Sequence, residues 1–296
     1  MNIHLAKARG FCMGVQRSIN MAIETRDKLD GDITILNEIV HNNSVVNDLE
    51  NRGLKRTTNL DSVDHGTLII SAHGVSPAVI ETAREKGLNV VDSTCPLVTV
   101  LHKAADFLIK RDYTVIIFGD ANHDEMKGVK GRHPDKIHVL NKIDSLDDLP
   151  EIEGKVGFIS QSTQSMELFD KAAALVEKKY SEVKIRNTIC EATRKRQTSI
   201  VDLAPRMDVV IVVGSQTSAN SKRLAQISNQ YGTPTYLIDH AEEIEASWLL
   251  DKNNVGITAG ASTPDWLIND VIARIKDLSR QNGNSEIIVY DEKNVE

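Results

Sequence analysis

Cysteine is scarce in this chain: three occur in 296 residues. Each stands where a short extended run gives way to helix-like sequence. Cys12 lies in ARGFCMGV, Cys95 in DSTCPLVTVLH and Cys190 in NTICEATRKRQ. The thiolate is a nucleophile and a soft metal ligand, so three thiols in one recurring setting suit a metal or an iron–sulfur cluster. A cubane cluster ordinarily takes four cysteines, one per iron. Three would leave one iron open, as catalytic zinc keeps a fourth position for water or substrate. Zinc on three cysteines remains an alternative, although the C-x2-C pairs usual in structural zinc sites are absent, as is a C-x3-C-x2-C triad.

Other reactive side chains gather in loops that follow extended runs. One set reads EIVHNN (38–43), GDANHDE (119–125) and GSQTSAN (214–220). A second reads SAHGVS (71–76), ISQSTQS (159–165) and AGASTPD (259–265). Together they offer His41, His73, His123, Glu125, Ser162, Thr163, Ser218, Asn220 and Ser262, with no arginine or lysine at the strand tips. Neutral and imidazolium donors, with the backbone N–H groups of helix N-termini, suit a small anion. A diphosphate matches, because it accepts many hydrogen bonds from several directions. Glu125, enclosed beside such an anion, is expected to hold its proton more tightly than an ordinary carboxylate and so to serve as a proton donor. The remaining histidines, at 4, 65, 102, 133, 138 and 240, show no such pattern.

The elements that must position these loops are strands and helices in alternation. Strands are expected at 3–5, 33–36, 68–71, 89–91, 115–118, 137–140, 157–160, 209–213, 235–238 and 256–258. Helices are expected at 76–86, 103–111, 166–179, 221–231 and 266–280. Such alternation implies parallel sheets in an α/β protein. The cysteine loops form a third set, DSTC, NTIC and, at the far end of the chain, ARGFC. Cys95 and Cys190 are 95 residues apart, and so are Gly119 and Gly214. The reading is therefore three similar α/β units in a pseudo-threefold closed arrangement around a central cavity. The units run 13–95, 96–189 and 190–281, the last completed by the N-terminal strand within 1–12; residues 282–296 form a tail. Its 287–290 stretch is extended and stands as an added strand or a closing flap. Ligands of parallel α/β sheets bind beyond the carboxyl ends of strands, which would make the three remote cysteines neighbours.

A net charge of −7 argues against nucleic acid, since a phosphate-backbone binder carries a basic face. Arg194-Lys195-Arg196 is an exception and reads as a solvated helix face, with a docking patch as the alternative. No apolar run approaches the length of a membrane span, and the opening MNIHLAKARG has no signal-type apolar stretch, so a cytoplasmic location is expected. With three cysteines and no export signal, a disulfide framework is not expected.

RGFCMGVQRSI, VHNNSVVNDL, SAHGVS, DSTCPLVTVLH, TICEATRKRQ, NSKRL and GASTPDWLI, in that order over about residues 2–280, resemble the 4-hydroxy-3-methylbut-2-enyl diphosphate reductase family. The resemblance implies a [4Fe-4S] cluster on Cys12, Cys95 and Cys190 with one open iron site. It implies diphosphate contacts from His41, His73, His123, Ser218, the backbone of Ala219, Asn220 and Ser262. Glu125 would relay protons, ordered by Ser162, which stands where the family has a threonine. The implied reaction is reductive dehydroxylation of an allylic diphosphate to isopentenyl and dimethylallyl diphosphates, the last step of non-mevalonate isoprenoid precursor synthesis. Ferredoxin or flavodoxin would supply electrons to a monomer or homodimer. The family's histidine–proline–glutamate is here His123-Asp124-Glu125, and Asp120, Asn122, Lys127, Ser160, Gln216, Thr217 and Ala219 also depart from its pattern. Two other readings stand beside this one. The first is a dicarboxylate enzyme on a similar chamber, like quinolinate synthase, for which strand-tip arginines would be expected. The second is a non-catalytic iron–sulfur sensor.

Overall fold

Runs of β-branched residues without polar alternation build strands buried on both faces, and here they assemble into three parallel sheets. A computed structural model describes residues 1–283 and 286–294. The chain begins with β1 (Asn2–Leu5), α1 (Met13–Lys28), β2 (Ile33–Leu36), α2 (Asn43–Asn51) and β3 (Lys55–Thr57). It continues through β4 (Thr67–Ile70), α3 (Pro77–Glu85), β5 (Asn89–Asp92), α4 (Pro96–Ile109) and β6 (Tyr113–Phe118). Next come α5 (Asp124–Lys130), β7 (Ile137–Leu140), β8 (Lys155–Ser160), α6 (Met166–Lys179) and β9 (Glu182–Ile185). The last part holds α7 (Glu191–Leu203), β10 (Val209–Val213), α8 (Ala219–Gln230), β11 (Thr235–Ile238), β12 (Asn254–Ala259), α9 (Asp265–Gln281) and β13 (Ile288–Asp291).

The sheet orders are β3-β2-β4-β5, β7-β6-β8-β9 and β11-β10-β12-β1-β13. Beside β12, β1 holds the place that β5 holds beside β4 and β9 beside β8. The pairing is parallel, with Ile3 opposite Val255 and Leu5 opposite Ile257. The chain divides into two compact units. One comprises Met13–Val40 and Val46–Cys190 and contains the first two sheets. The other comprises Met1–Cys12, His41–Val45 and residues from Glu191 onward, and contains the third.

Each sheet separates apolar layers. Phe118, Phe158, Phe169 and Val176 pack on one face of β6–β8, and Leu101, Leu108, Val115, Ile117 and Ile159 on the other. Helix α4 approaches β8 at Gly157, where a Cβ would lie 2.7 Å from Leu108 Cδ1, so even alanine would overpack this contact. In the third sheet Val209, Ile211, Ile257 and Val271 line one layer, and Val210, Val212, Leu203 and Leu224 the other.

Several elements differ from the sequence expectation. Helix α4 starts at Pro96, where the sequence turns helix-like directly after Cys95, so the stretch expected from 103 is only its second half; proline at the first helical position loses no intrahelical bond. Strands β3 and β9 lacked an apolar signal; they are edge strands carrying Lys55, Arg56, Glu182 and Lys184, as unpaired edges commonly do. The tail supplies a strand: β13 pairs in parallel with β1, Ile3 opposite Val289. Asn284, part of the break before it, lies outside the described residues. Arg9 secures the added strand by two bonds to Asp291, 2.9 and 2.7 Å, and this ion pair holds the Asp291 carboxyl below its ordinary range.

Candidate functional site

In the larger unit, two strand-tip systems carry the predicted side chains. Cys95 is the N-cap residue of α4, fixed by its N–H to the Ala72 carbonyl at 3.0 Å. Against its sulfur runs the first turn of α1: a Cβ on Gly14 would fall 2.2 Å from Cys95 Sγ. Only glycine leaves that volume to the sulfur. Arg17 of the same turn donates to the Thr94 carbonyl at 3.3 Å, and the buried Ser18 and Ser93 hydroxyls meet at 2.6 Å. Beneath this loop His102 is buried beside Gly74 and Thr94, and burial, with Arg132 nearby, lowers its pKa to about 4 despite Asp106 and Asp92. It therefore stays neutral, a feature with no sequence signal.

Cys190 follows β9, and its N–H donates to the Ser162 carbonyl at 2.9 Å. The same serine clamps Glu125. Its N–H reaches Glu125 Oε1 and its Oγ reaches Oε2, both at 2.6 Å. Glu125 is only 2% exposed, so water does not compete for the carboxylate. His123 caps α5, its Nδ1 accepting the Glu125 N–H at 3.2 Å. An accepting Nδ1 places the imidazole proton on Nε2, where it is a donor. The His73 ring meets His123 edge-on, with centroids 5.4 Å apart. That approach depends on α5 coming close to the 73–76 loop: a Cβ on Gly128 would be 3.3 Å from the Gly74 carbonyl, and one on Gly131 2.6 Å from Ser76 Cβ. Gln161, absent from the sequence-derived set, joins the loops of β6 and β8. Its Oε1 accepts the Asp120 N–H at 2.9 Å, and its Nε2 donates to Thr163 at 3.1 Å.

The departures at 124, 127 and 162 are locally accommodated. Asp124 opens α5, where a carboxylate complements the helix dipole, and binds Lys127 at 3.1 Å. Serine at 162 keeps the hydroxyl that grips Glu125.

The smaller unit holds Cys12, His41, Ser218, Ala219, Asn220 and Ser262. The Cys12 N–H donates to the Ala261 carbonyl at 3.1 Å, so this thiol is tied to the loop after β12. Arg196, expected on a solvated face, is instead 5% exposed and donates to the Gly10 carbonyl. It braces the cysteine loop from α7, a tertiary role that a run of three basic residues hides. Ser218 caps α8, accepting the Ser221 N–H, and Ser262 Oγ donates to the His41 carbonyl at 3.0 Å. Ala219 is the first residue of α8. Asn220, 4% exposed, has neither its amide nitrogen nor its oxygen hydrogen-bonded among the described residues. A buried amide without partners is costly unless a ligand satisfies it. Ser221, also missed, has its hydroxyl wedged between two strand tips: a Cβ on Gly214 or Gly260 would lie 2.3 or 2.1 Å from it.

Residues 3–276 match the family model described as LytB protein. The chain is 40% identical over 281 residues to the 4-hydroxy-3-methylbut-2-enyl diphosphate reductase of Geobacter sulfurreducens, covering 95% of this chain and 99% of that protein. Its identity to the enzyme of the same name from Aquifex aeolicus is 37% over 284 residues, covering 94% and 97%. Among solved structures, the E-1-hydroxy-2-methyl-but-2-enyl-4-diphosphate reductase from Plasmodium falciparum is similar with a TM-score of 0.89 and 29% identity, over 99% of this chain and 93% of that one. A structure described as (E)-4-hydroxy-3-methyl-but-2-enyl diphosphate reductase, the terminal enzyme of the non-mevalonate pathway, gives 0.68 and 38%, over 93% and 99%.

Proposed function

The chain belongs to the LytB protein family, and from that premise we propose that it is a 4-hydroxy-3-methylbut-2-enyl diphosphate reductase. The observation that carries the reading is Ser162, which holds the buried Glu125 carboxylate with two bonds and accepts the N–H of Cys190 on its carbonyl. A proton-bearing group and a thiol are thus keyed to one residue.

The donor set suits a cluster: three thiols, each partly accessible, one with its sulfur volume kept open by Gly14. Cys12, Cys95 and Cys190 would hold it. When bound, a [4Fe-4S] cluster with three thiolate ligands supplies single electrons and one iron with an open coordination position. The substrate diphosphate is gripped by the Asn220 amide, by His123 Nε2–H, and by His41, His73, Ser218 and Ser262, with the backbone N–H of Ala219 at the α8 N-terminus.

Glu125 holds the proton that the leaving hydroxyl requires. When that proton sits on Oε2, the 2.6 Å contact reverses and Ser162 Oγ accepts it, so the serine orders the acid in both states. Two electrons and two protons are consumed. The allylic C–O bond breaks, one proton leaves with the oxygen as water, and the second ends on an allylic carbon. Protonation at either end of the allyl unit gives the two isomeric products.

The test is Glu125→Gln in anaerobically loaded protein. The visible absorbance should persist while conversion of the allylic diphosphate falls by at least about 10²-fold, the usual weight of a positioned acid. Equal turnover in variant and wild type removes Glu125 from the reaction. Calorimetric preference for a dicarboxylate over the allylic diphosphate overturns the substrate assignment.

A further inference from the structure

The reductase needs electrons from outside, and one face of the larger unit stands out as their entry. Met13 is 72% exposed and Val100 is 55% exposed, a large departure for big apolar side chains. Met13 opens the helical turn whose next residue, Gly14, lies against Cys95 Sγ, and Val100 sits in the second turn of the helix that Cys95 caps. Both helices therefore begin at a thiol and present apolar surface beside it. Their other exposed residues in these turns are Gln16 and Arg17 on α1, and Pro96 and Lys103 on α4.

Within these turns the charge is one-sided, with the exposed Asp92 just outside them. The chain has 42 acidic against 35 basic residues, yet residues 13–23 and 93–105 contain no carboxylate. An apolar centre flanked by Arg17 and Lys103 complements an apolar spot ringed by carboxylates. Opposite charge steers such a partner to its patch and fixes its orientation. Electron transfer weakens steeply with distance, so a carrier must dock close to a thiol, and these turns flank the Gly14–Cys95 contact.

We propose that the face formed by Met13, Arg17, Val100 and Lys103 is the docking site for an acidic one-electron carrier protein. This deepens the reductase reading and rests on it. Two reduced carriers dock in turn, each is oxidised by one electron, and with two protons the allylic alcohol yields the dehydroxylated diphosphate and water.

The experiment uses the cluster-loaded protein, an acidic two-iron ferredoxin and, separately, reduced methyl viologen. In the double variant Val100→Glu/Lys103→Glu, ferredoxin affinity measured by anaerobic calorimetry should fall about tenfold or more, and KM for ferredoxin should rise in step. Viologen-driven turnover should not change, and Lys178→Glu on α6, a charge reversal elsewhere, should leave ferredoxin affinity intact. The single variant Lys103→Glu gives the same readout should the double variant not fold. Unchanged ferredoxin affinity in both, or an equal loss in Lys178→Glu, overturns the proposal. If the wild type fails to convert the allylic diphosphate with viologen, the reductase reading falls instead, and the calorimetric comparison still decides the face.

Discussion

At the scale of single residues, Glu125 and Ser162 form a tight unit because burial removes water as a competing partner while the serine provides two donors. A hydrogen bond to a charged group contributes about 1.5–3 kcal/mol, so Ser162→Ala should lower turnover by roughly 10- to 150-fold. Ser162→Thr keeps the hydroxyl and should stay near wild type. Steady-state rates with a chemical reductant check both, and a full-rate alanine variant would separate the serine from the proton path. His102 makes a prediction about stability. Its pKa is about 4 in the fold against 6.5 unfolded, so at pH 7 both states are neutral and its contribution is complete. As pH drops from 6.5 to 4 the unfolded chain takes up a proton that the fold refuses, which costs about 3 kcal/mol in all. Urea midpoints should therefore fall over that window, and His102→Gln should flatten the decline; an identical decline in the variant would assign it to other groups.

At the scale of elements, the helix that follows each cysteine matters more than the strand before it. In α1, Gly14→Ala puts a methyl 2.2 Å from Cys95 Sγ, so either α1 or the sulfur must shift. Far-UV circular dichroism should survive while iron retained after anaerobic reconstitution drops severalfold; full iron content would show that the contact relaxes harmlessly. At the opposite edge of the third sheet, β13 depends on the Arg9–Asp291 pair. Arg9→Ala should destabilise the protein by about 1–3 kcal/mol at neutral pH, since it leaves a partly buried carboxylate without its partner. Because the pair lowers the Asp291 pKa, the stabilisation is present above the ordinary carboxylate range and is lost as pH falls through the lowered value. Wild type and variant should accordingly converge in strong acid.

At the scale of the whole molecule, the sheet orders repeat, with β1 crossing almost the entire sequence to stand beside β12. The proposed cluster makes this arrangement testable. Serine at any one of positions 12, 95 or 190 should remove most of the bound iron, because one missing thiolate weakens a shared site for all. Iron lost from one variant alone would mean that the thiols serve separately. The three sheets, the place of β1 and the loops that follow the strands were legible, because β-branched runs and repeated loop motifs are local in sequence. Gly14, Arg196, Gln161 and Ser221 were not. Each matters through an approach to atoms far along the chain, and a glycine, a basic run or a lone serine gives no local sign of what will come near it.

By itself, then, the sequence determined which side chains stand at strand ends and how often, since residue type and period are properties of neighbours along the chain. Tertiary structure alone decided the rest. It enclosed Glu125 and His102, left the Asn220 amide without a partner among the described residues, turned Arg196 inward and laid α1 against the Cys95 sulfur. Burial and close approach are sums over atoms that only folding brings together, so no local pattern encodes them.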